Sequence, residues 1–160
     1  MEYNPLSAIP YYSENSRLIE GLGYILVELK VIPQKTQTRV RVVIAKKSDD
    51  ENKPTDESGV GIADCAKVHR LIEPRLEALL GTQDLYMEVT SPGMERNIKN
   101  AAEFSLFKGR YLRVWDQDKS DWVSGVISAS DEKSVTLKIN DADSEVIPYE
   151  RIAKAKLLCV

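Results

Sequence analysis

Leu85-Tyr86-Met87-Glu88-Val89-Thr90-Ser91-Pro92-Gly93-Met94-Glu95-Arg96 decides how the chain is divided. It opens with alternating apolar and polar residues, the period of a strand buried on one face. It closes on Ser-Pro-Gly, where Pro fixes φ and Gly supplies the positive φ of a type II turn. Helical and mixed patterns precede this point, whereas beyond residue 110 the chain carries only short strand-like runs. The turn therefore joins two small domains, expected as residues 1–92 and 101–160, with 93–100 as linker.

Working back from the turn, Ala66, Leu71, Ile72, Leu76, Leu79 and Leu80 recur at helical spacing after Ile62. Asp64 stands near the first turn, where a carboxylate suits the helix dipole, and Gly81 follows the end. Pro74 inside this helix removes a backbone donor and predicts a kink near Val68 to Arg70. Earlier still, Tyr24 to Ile32 alternates with Ile25, Val27, Leu29 and Val31 on one side and Glu28 and Lys30 on the other. Thr38 to Ala45 repeats the pattern with Val40, Val42 and Ile44 against Arg39 and Arg41. These runs form a hairpin, and Ser13 to Glu20 forms a short helix ahead of Gly21-Leu22-Gly23. Lys46 to Ser58 is charged, holds a Pro and offers little to bury, so it reads as a surface loop. The first half is an α/β layer, a three-stranded sheet with two helices, in which Ile25, Val27, Val40, Val42, Met87 and Val89 are expected to face the helices.

Beyond the turn, Tyr111–Trp115, Trp122–Ser128, Ser134–Ile139, Glu145–Tyr149 and Ala155–Val160 are five β-rich runs separated by turn residues. Closure into a small barrel would remove their exposed edges. The whole is α+β in class.

Two motifs carry a family resemblance. The stretch Leu85 to Arg96, together with Gly59-Val60-Gly61-Ile62-Ala63-Asp64-Cys65-Ala66 upstream, resembles the bacterial ribosome maturation factor RimP family, whose members carry a Ser-Ser-Pro-Gly signature after an Asp-Asp-Cys helix start. The likeness runs from about Gly21 to the end. The Arg-Pro-Leu that usually closes the signature reads Arg96-Asn97-Ile98 here, which removes a Pro that would restrict the connection. The resemblance implies an SH3-like barrel for the second half, with Tyr149 to Ala155 as the tight turn before its last strand. It also implies a role in maturing the small ribosomal subunit, by binding immature particles and helping to incorporate the ribosomal protein near the decoding centre, ribosomal protein twelve of the small subunit. Ser91, Pro92, Gly93 and Arg96 then become a candidate contact surface as well as a turn.

Composition bounds the remaining possibilities. Within 160 residues, 22 basic and 25 acidic side chains leave a net charge of −3, against a protein that holds nucleic acid mainly by neutralising phosphates. With 42% hydrophobic residues and no run near the length of a membrane span, a cytoplasmic location is expected. Cys65 and Cys159 lie far apart and form neither a disulfide framework nor a metal set. Cys65 and His69 share a helix face, yet no third group orients them, so Cys65 reads as a small core residue. Gly59-Val60-Gly61 lacks the rest of a dinucleotide or P-loop motif, and Asp49-Asp50-Glu51 and Asp141-Ala142-Asp143 lack calcium-loop spacing. No catalytic residue, cofactor or metal is assigned.

Binding candidates remain. Arg39 and Arg41, beside Lys30, lie on the open sheet face as an rRNA contact diluted by Glu28. Trp122, with Trp115 and Tyr111, is available to stack on bases or clasp a peptide. Asp116 and Asp118, with Asp121, form an acidic loop suited to a basic peptide. The reading is a non-enzymatic assembly factor. The alternative is a general RNA-binding module without a ribosomal protein partner.

Overall fold

The computed structural model describes residues 1–46, 60–91 and 96–158. These fall into two compact units, one built from 6–46 and 60–91, the other from Met1–Pro5 and 96–158. The first five residues thus belong to the later unit, not to the domain expected over 1–92.

In the first unit, α1 (Tyr12–Gly21) precedes β1 (Tyr24–Pro33) and β2 (Thr38–Lys46), and α2 (Ile62–Leu80) leads to β3 (Leu85–Thr90). The sheet order is β1-β2-β3; β1 pairs antiparallel and β3 parallel to β2, so α2 lies in the crossover that a parallel pair demands. Val68, Ile72 and Leu76, four residues apart, present one stripe of α2 to the core, and the helix continues through Pro74. They pack with Tyr12 and Ile19 of α1 and with Tyr24, Leu26, Leu29, Val40, Val42, Ile44 and Met87 of the sheet.

The expected face of β1 requires correction. Pairing runs Leu26 to Ile44 and then Glu28 to Val43, so Val27 is an extra residue in a β-bulge. A bulge shifts the alternation by one, and every side chain before it changes face. Tyr24 and Leu26, not Ile25, therefore meet the helices; Ile25 is half-buried, and Val27 is buried outside that cluster. Gly81 takes φ 67° just past α2, where a Cβ would be strained, and its N–H bonds to the Glu77 carbonyl to end the helix.

In the second unit, β4 (Arg96–Ile98), β5 (Tyr111–Asp116), β6 (Asp121–Ser130), β7 (Ser134–Lys138), β8 (Ser144–Pro148) and β9 (Ile152–Leu157) form a sheet in the order β4-β9-β5-β6-β7-β8. Every pairing is antiparallel. Part of the expected linker is thus a strand, β4 against β9. Three differences from the sequence reading stand out. The described residues of this unit hold six strands rather than five. The last begins at Ile152 rather than Ala155, because the 3-10 turn before it occupies only Tyr149–Arg151. Among the described residues the sheet is not a closed barrel: β4 and β8 are its two ends and are not hydrogen-bonded to each other, the pairing that closure requires. A 3-10 segment, Ala101–Phe107, capped by Asn100 Oδ1 accepting from Ala102 N–H, drives Phe104 and Phe107 into the core. There they join Leu112, Val114, Leu137, Ile147 and Ile152, all fully buried.

Met1–Pro5 adds to this unit by direct bonds. The Glu2 carbonyl accepts the Ala101 N–H at 3.0 Å. Asn4 and Asn100 exchange two hydrogen bonds, at 3.0 and 2.9 Å. Tyr3 stacks on Tyr149, centroids 6.1 Å apart, and Tyr149 packs in turn on Phe104.

Candidate functional site

Alternation in β2 and β3 places Arg39, Arg41, Tyr86 and Glu88 on the sheet face turned away from α2, and Lys30 of β1 pairs opposite Arg41. The Arg39 guanidinium lies 5.3 Å above the centre of the Tyr86 ring, whose side is half-exposed at 51%. A cation over an aromatic face is attracted by the ring quadrupole and held flat. Arg41 reaches Glu28 at 3.9 Å with both groups open to solvent, a geometry that contributes little to stability. Three cations, Lys30, Arg39 and Arg41, thus share this face with two carboxylates, Glu28 and Glu88. Sequence reading singled out the arginines but missed Tyr86, which in sequence is one apolar residue of a short strand. It becomes a partner only when β3 pairs beside β2.

Ser91 follows β3 and is half-buried, while Pro92 and Gly93 lie outside the described residues. Arg96 is set into β4. Its Nε and Nη2 donate to Glu103 Oε1 at 2.9 and 2.7 Å, and both side chains are nearly buried, at 11% and 6% exposure. Arg96 therefore joins the strand to the 101–107 segment, and a bidentate grip of this kind commits its guanidinium.

Asp116 and Asp118, taken in sequence as one acidic loop, differ sharply in burial although both lie against Arg151. Asp116 is the last residue of β5 and fully buried. It accepts hydrogen bonds from Arg151 and from the backbone N–H groups of Asp118 and Lys119. The Arg151 contact, followed by the two backbone donors, holds its carboxyl below the usual carboxylate range. Asp118 stays exposed at 72%, 3.3 Å from Arg151 Nε, and Lys119 pairs with Glu145. Much of the negative charge around this turn is thus answered within it.

Trp122, the second residue of β6, lies opposite Trp115 of β5, the rings edge to face with centroids 5.4 Å apart. Arg113 lies over Trp122, its guanidinium carbon 4.4 Å from the ring centre. Inward residues Leu112, Val114 and Val123 are buried, while Arg113, Trp115 and Trp122 on the opposite side are half-exposed, so both tryptophans belong to the outer face rather than the core.

The other sequence candidates form no site. Burial, and secondarily Asp64, push the Cys65 thiol up, away from the thiolate a nucleophile needs. His69 contacts Glu73 at 3.0 Å. Asp64 bonds the Gly61 N–H at 2.9 Å and the Tyr24 hydroxyl, tying the start of α2 to β1. The first of these bonds, then the second, lower its pKa. A groove of about 450 Å³ runs between Tyr3, Ala101, Ser105 and residues 130–133. The Asp131 carboxylate beside it is already taken by the N–H groups of Lys133 and Ser134. Among the described residues no three His, Cys, Asp or Glu side chains gather as a metal would require, and no described helix is long and apolar enough to cross a membrane.

One comparison with known families matches. Residues 16–95 fit the RimP N-terminal domain, a span covering the three-stranded sheet and α2 in full and α1 from Ser16 onward. With half of its length accounted for in this way, the chain belongs to the RimP family of ribosome maturation factors.

Proposed function

We infer that this protein acts in the cytoplasm on the small (30S) ribosomal subunit, binding immature particles and assisting the addition of ribosomal protein twelve of the small subunit, without catalysing a reaction. The observation that carries this reading is the match of residues 16–95 to the RimP N-terminal domain. The second unit is read as an SH3-like module, an incompletely closed barrel, on the strength of the 3-10 turn Tyr149–Arg151 placed directly before β9.

Physical features divide the work. Arg39, stacked on Tyr86, with Arg41 and Lys30, offers rRNA a flat ring and positive charge on the first sheet. The turn between β5 and β6 offers a basic ribosomal protein fewer carboxylates than the sequence suggests. Asp116 is buried on Arg151, so Asp118 and Asp121 are the groups left at the surface. Ser91, Pro92, Gly93 and Arg96 complete the candidate contacts.

Co-sedimentation tests the reading. The purified protein is mixed with free small subunits, with complete ribosomes and with an excess of unrelated RNA. Selective retention on free small subunits that survives the competitor is the expected result. Equal retention on every particle, or loss to the competitor, would replace the maturation factor with a general RNA-binding module.

A further inference from the structure

We propose that the outer face of the second unit's sheet, centred on Trp122, is a binding surface for single-stranded RNA. The inference begins from strand register. In an antiparallel sheet, residues directly opposite one another point to the same side. Trp122 pairs with Trp115, and Trp115 with Lys154 of β9; one step along, Arg113 pairs with Lys156. Lys138 of β7 pairs with Val126 of β6, and Val126 shares the face of Trp122 by alternation. Four cations and two indole rings thus occupy one side of β9, β5, β6 and β7. The register places no Asp or Glu among the positions of this side in these strands. A protein of net charge −3 has here gathered positive charge by topology alone.

This face differs from the first sheet in what it lacks. There, Glu28 and Glu88 stand among the cations; here the strand positions of this face carry no carboxylate, and the exposed Asp118 and Asp121 lie at the turn at one end. It also differs from a purely cationic patch, because the Arg113 guanidinium carbon lies over Trp122, 4.4 Å from the ring centre, and Trp115 supports that ring edge-on. Arg113 Nε is buried with no hydrogen-bond partner among the described residues. Stacked planar groups flanked by lysines are what successive unpaired bases and their backbone require: rings hold the bases and cations follow the phosphates. Duplex RNA fits less well, since its bases are not free to stack on a protein ring. An acidic peptide would satisfy the cations but leave the rings without planar partners. The choice of RNA over single-stranded DNA rests on the maturation-factor reading, because stacking and phosphate contacts do not distinguish the two.

The test uses the full chain and a fluorescein-labelled oligouridylate of about ten nucleotides, within the range one small barrel covers. Binding is read by anisotropy and by quenching of tryptophan emission. The parent should bind with quenching, and affinity should fall as salt rises with a logarithmic slope of about −2 to −3, from three or four phosphates at roughly 0.7 each. Trp122→Leu should weaken binding about 5- to 150-fold, one lost stacking contact. Lys154→Gln, at an exposed position where folding is not at stake, should weaken it at low salt and make the slope shallower by about 0.7. Absence of binding, or Lys154→Gln and Trp122→Leu variants that bind and respond to salt like the parent, overturns the proposal. So does displacement by polyglutamate with no quenching by RNA, which assigns the face to a protein. The same variants are run in the small-subunit co-sedimentation. If oligonucleotide binding holds while selective retention on small subunits fails for the parent, the maturation reading falls and the RNA face stands. Retention on small subunits without any oligonucleotide binding has the opposite meaning.

Discussion

Replacing Gly125 with alanine is expected to destabilise the second unit, although a glycine inside a strand is ordinarily a weakness. Gly125 lies in the middle of β6, and its backbone does not need a positive φ. Taken alone, alanine would restrict the unfolded chain and favour the strand by about 0.5–1 kcal/mol. The space is already filled. A Cβ built there would sit 2.8 Å from the Lys138 carbonyl oxygen and 3.2 Å from Leu137 Cβ. The obstacle is the backbone of β7, not the end of a flexible side chain, so the strand must move. Overpacking of this kind costs about 1–3 kcal/mol, which leaves a net loss of about 0.5–2 kcal/mol. At roughly 4–8 °C per kcal/mol for a unit of this size, melting falls by some 2–16 °C. The chain's 2 tryptophans are Trp115 and Trp122, on β5 and β6, so their fluorescence during urea or thermal unfolding reports on this sheet alone. Gly21→Ala is the natural control. It closes α1 with no atom within 4 Å of the added carbon, and should gain about 0.5–1 kcal/mol by helix propensity, seen by far-UV circular dichroism. A Gly125→Ala protein that melts at or above the parent would refute the reasoning, since it would mean that β7 gives way at no cost.

Ile72→Ala should cost the first unit about 2–5 kcal/mol, because Ile72 is fully buried between α2 and the sheet; the loss appears in helix-weighted circular dichroism, and a change under 1 kcal/mol would mean the site collapses around the cavity. Alkaline titration should find Tyr24 and Tyr149 ionising near pH 12. Tyr24 is raised to about 12 chiefly by its hydrogen bond to Asp64 and then by burial, Tyr149 to about 12 chiefly by burial. Since both folded values lie above the ordinary value near 10, their contribution to stability is complete below pH 10 and is lost as pH rises towards 12. Ultraviolet absorbance of phenolate checks this, and an Asp64→Asn protein should lower the Tyr24 value. An unchanged titration in that variant would deny the hydrogen bond its part.

The elements of this fold were legible because each announces its period locally. Val40, Val42 and Ile44 alternate, Leu71, Ile72, Leu76, Leu79 and Leu80 recur at helical spacing, and Gly81 marks an end. What stayed hidden depends on residues far apart in the chain. Val27 is as apolar as its neighbours and no turn residue flags it, so the bulge that reverses the first part of β1 left no trace. Asp116 looked like part of an acidic loop because its partner, Arg151, is 35 residues away. Closure of the barrel was inferred from strand number, but whether edge strands meet is decided by lengths and register that composition does not carry; β4 has only three residues. Among the candidate contacts, Arg39, Arg41 and Trp122 were readable as exposed or aromatic types. Tyr86, Arg113, Lys154 and Lys156 became their neighbours only through pairing.

That pairing also sets a timetable. β9 is made after every other strand of its sheet, yet it lies between β4 and β5 rather than at an edge. Until it leaves the ribosome, β4 has no partner and β5 lacks one of its two. Tyr3, which precedes every described strand, waits for Tyr149, which comes just before β9. The first unit, by contrast, has all of its described strands and helices once β3 is made. At about 5–20 residues per second, several seconds separate the two events. During synthesis the α/β layer is therefore free to fold ahead, while the cationic face of the second unit comes into being only once β9 is drawn into the middle of the sheet.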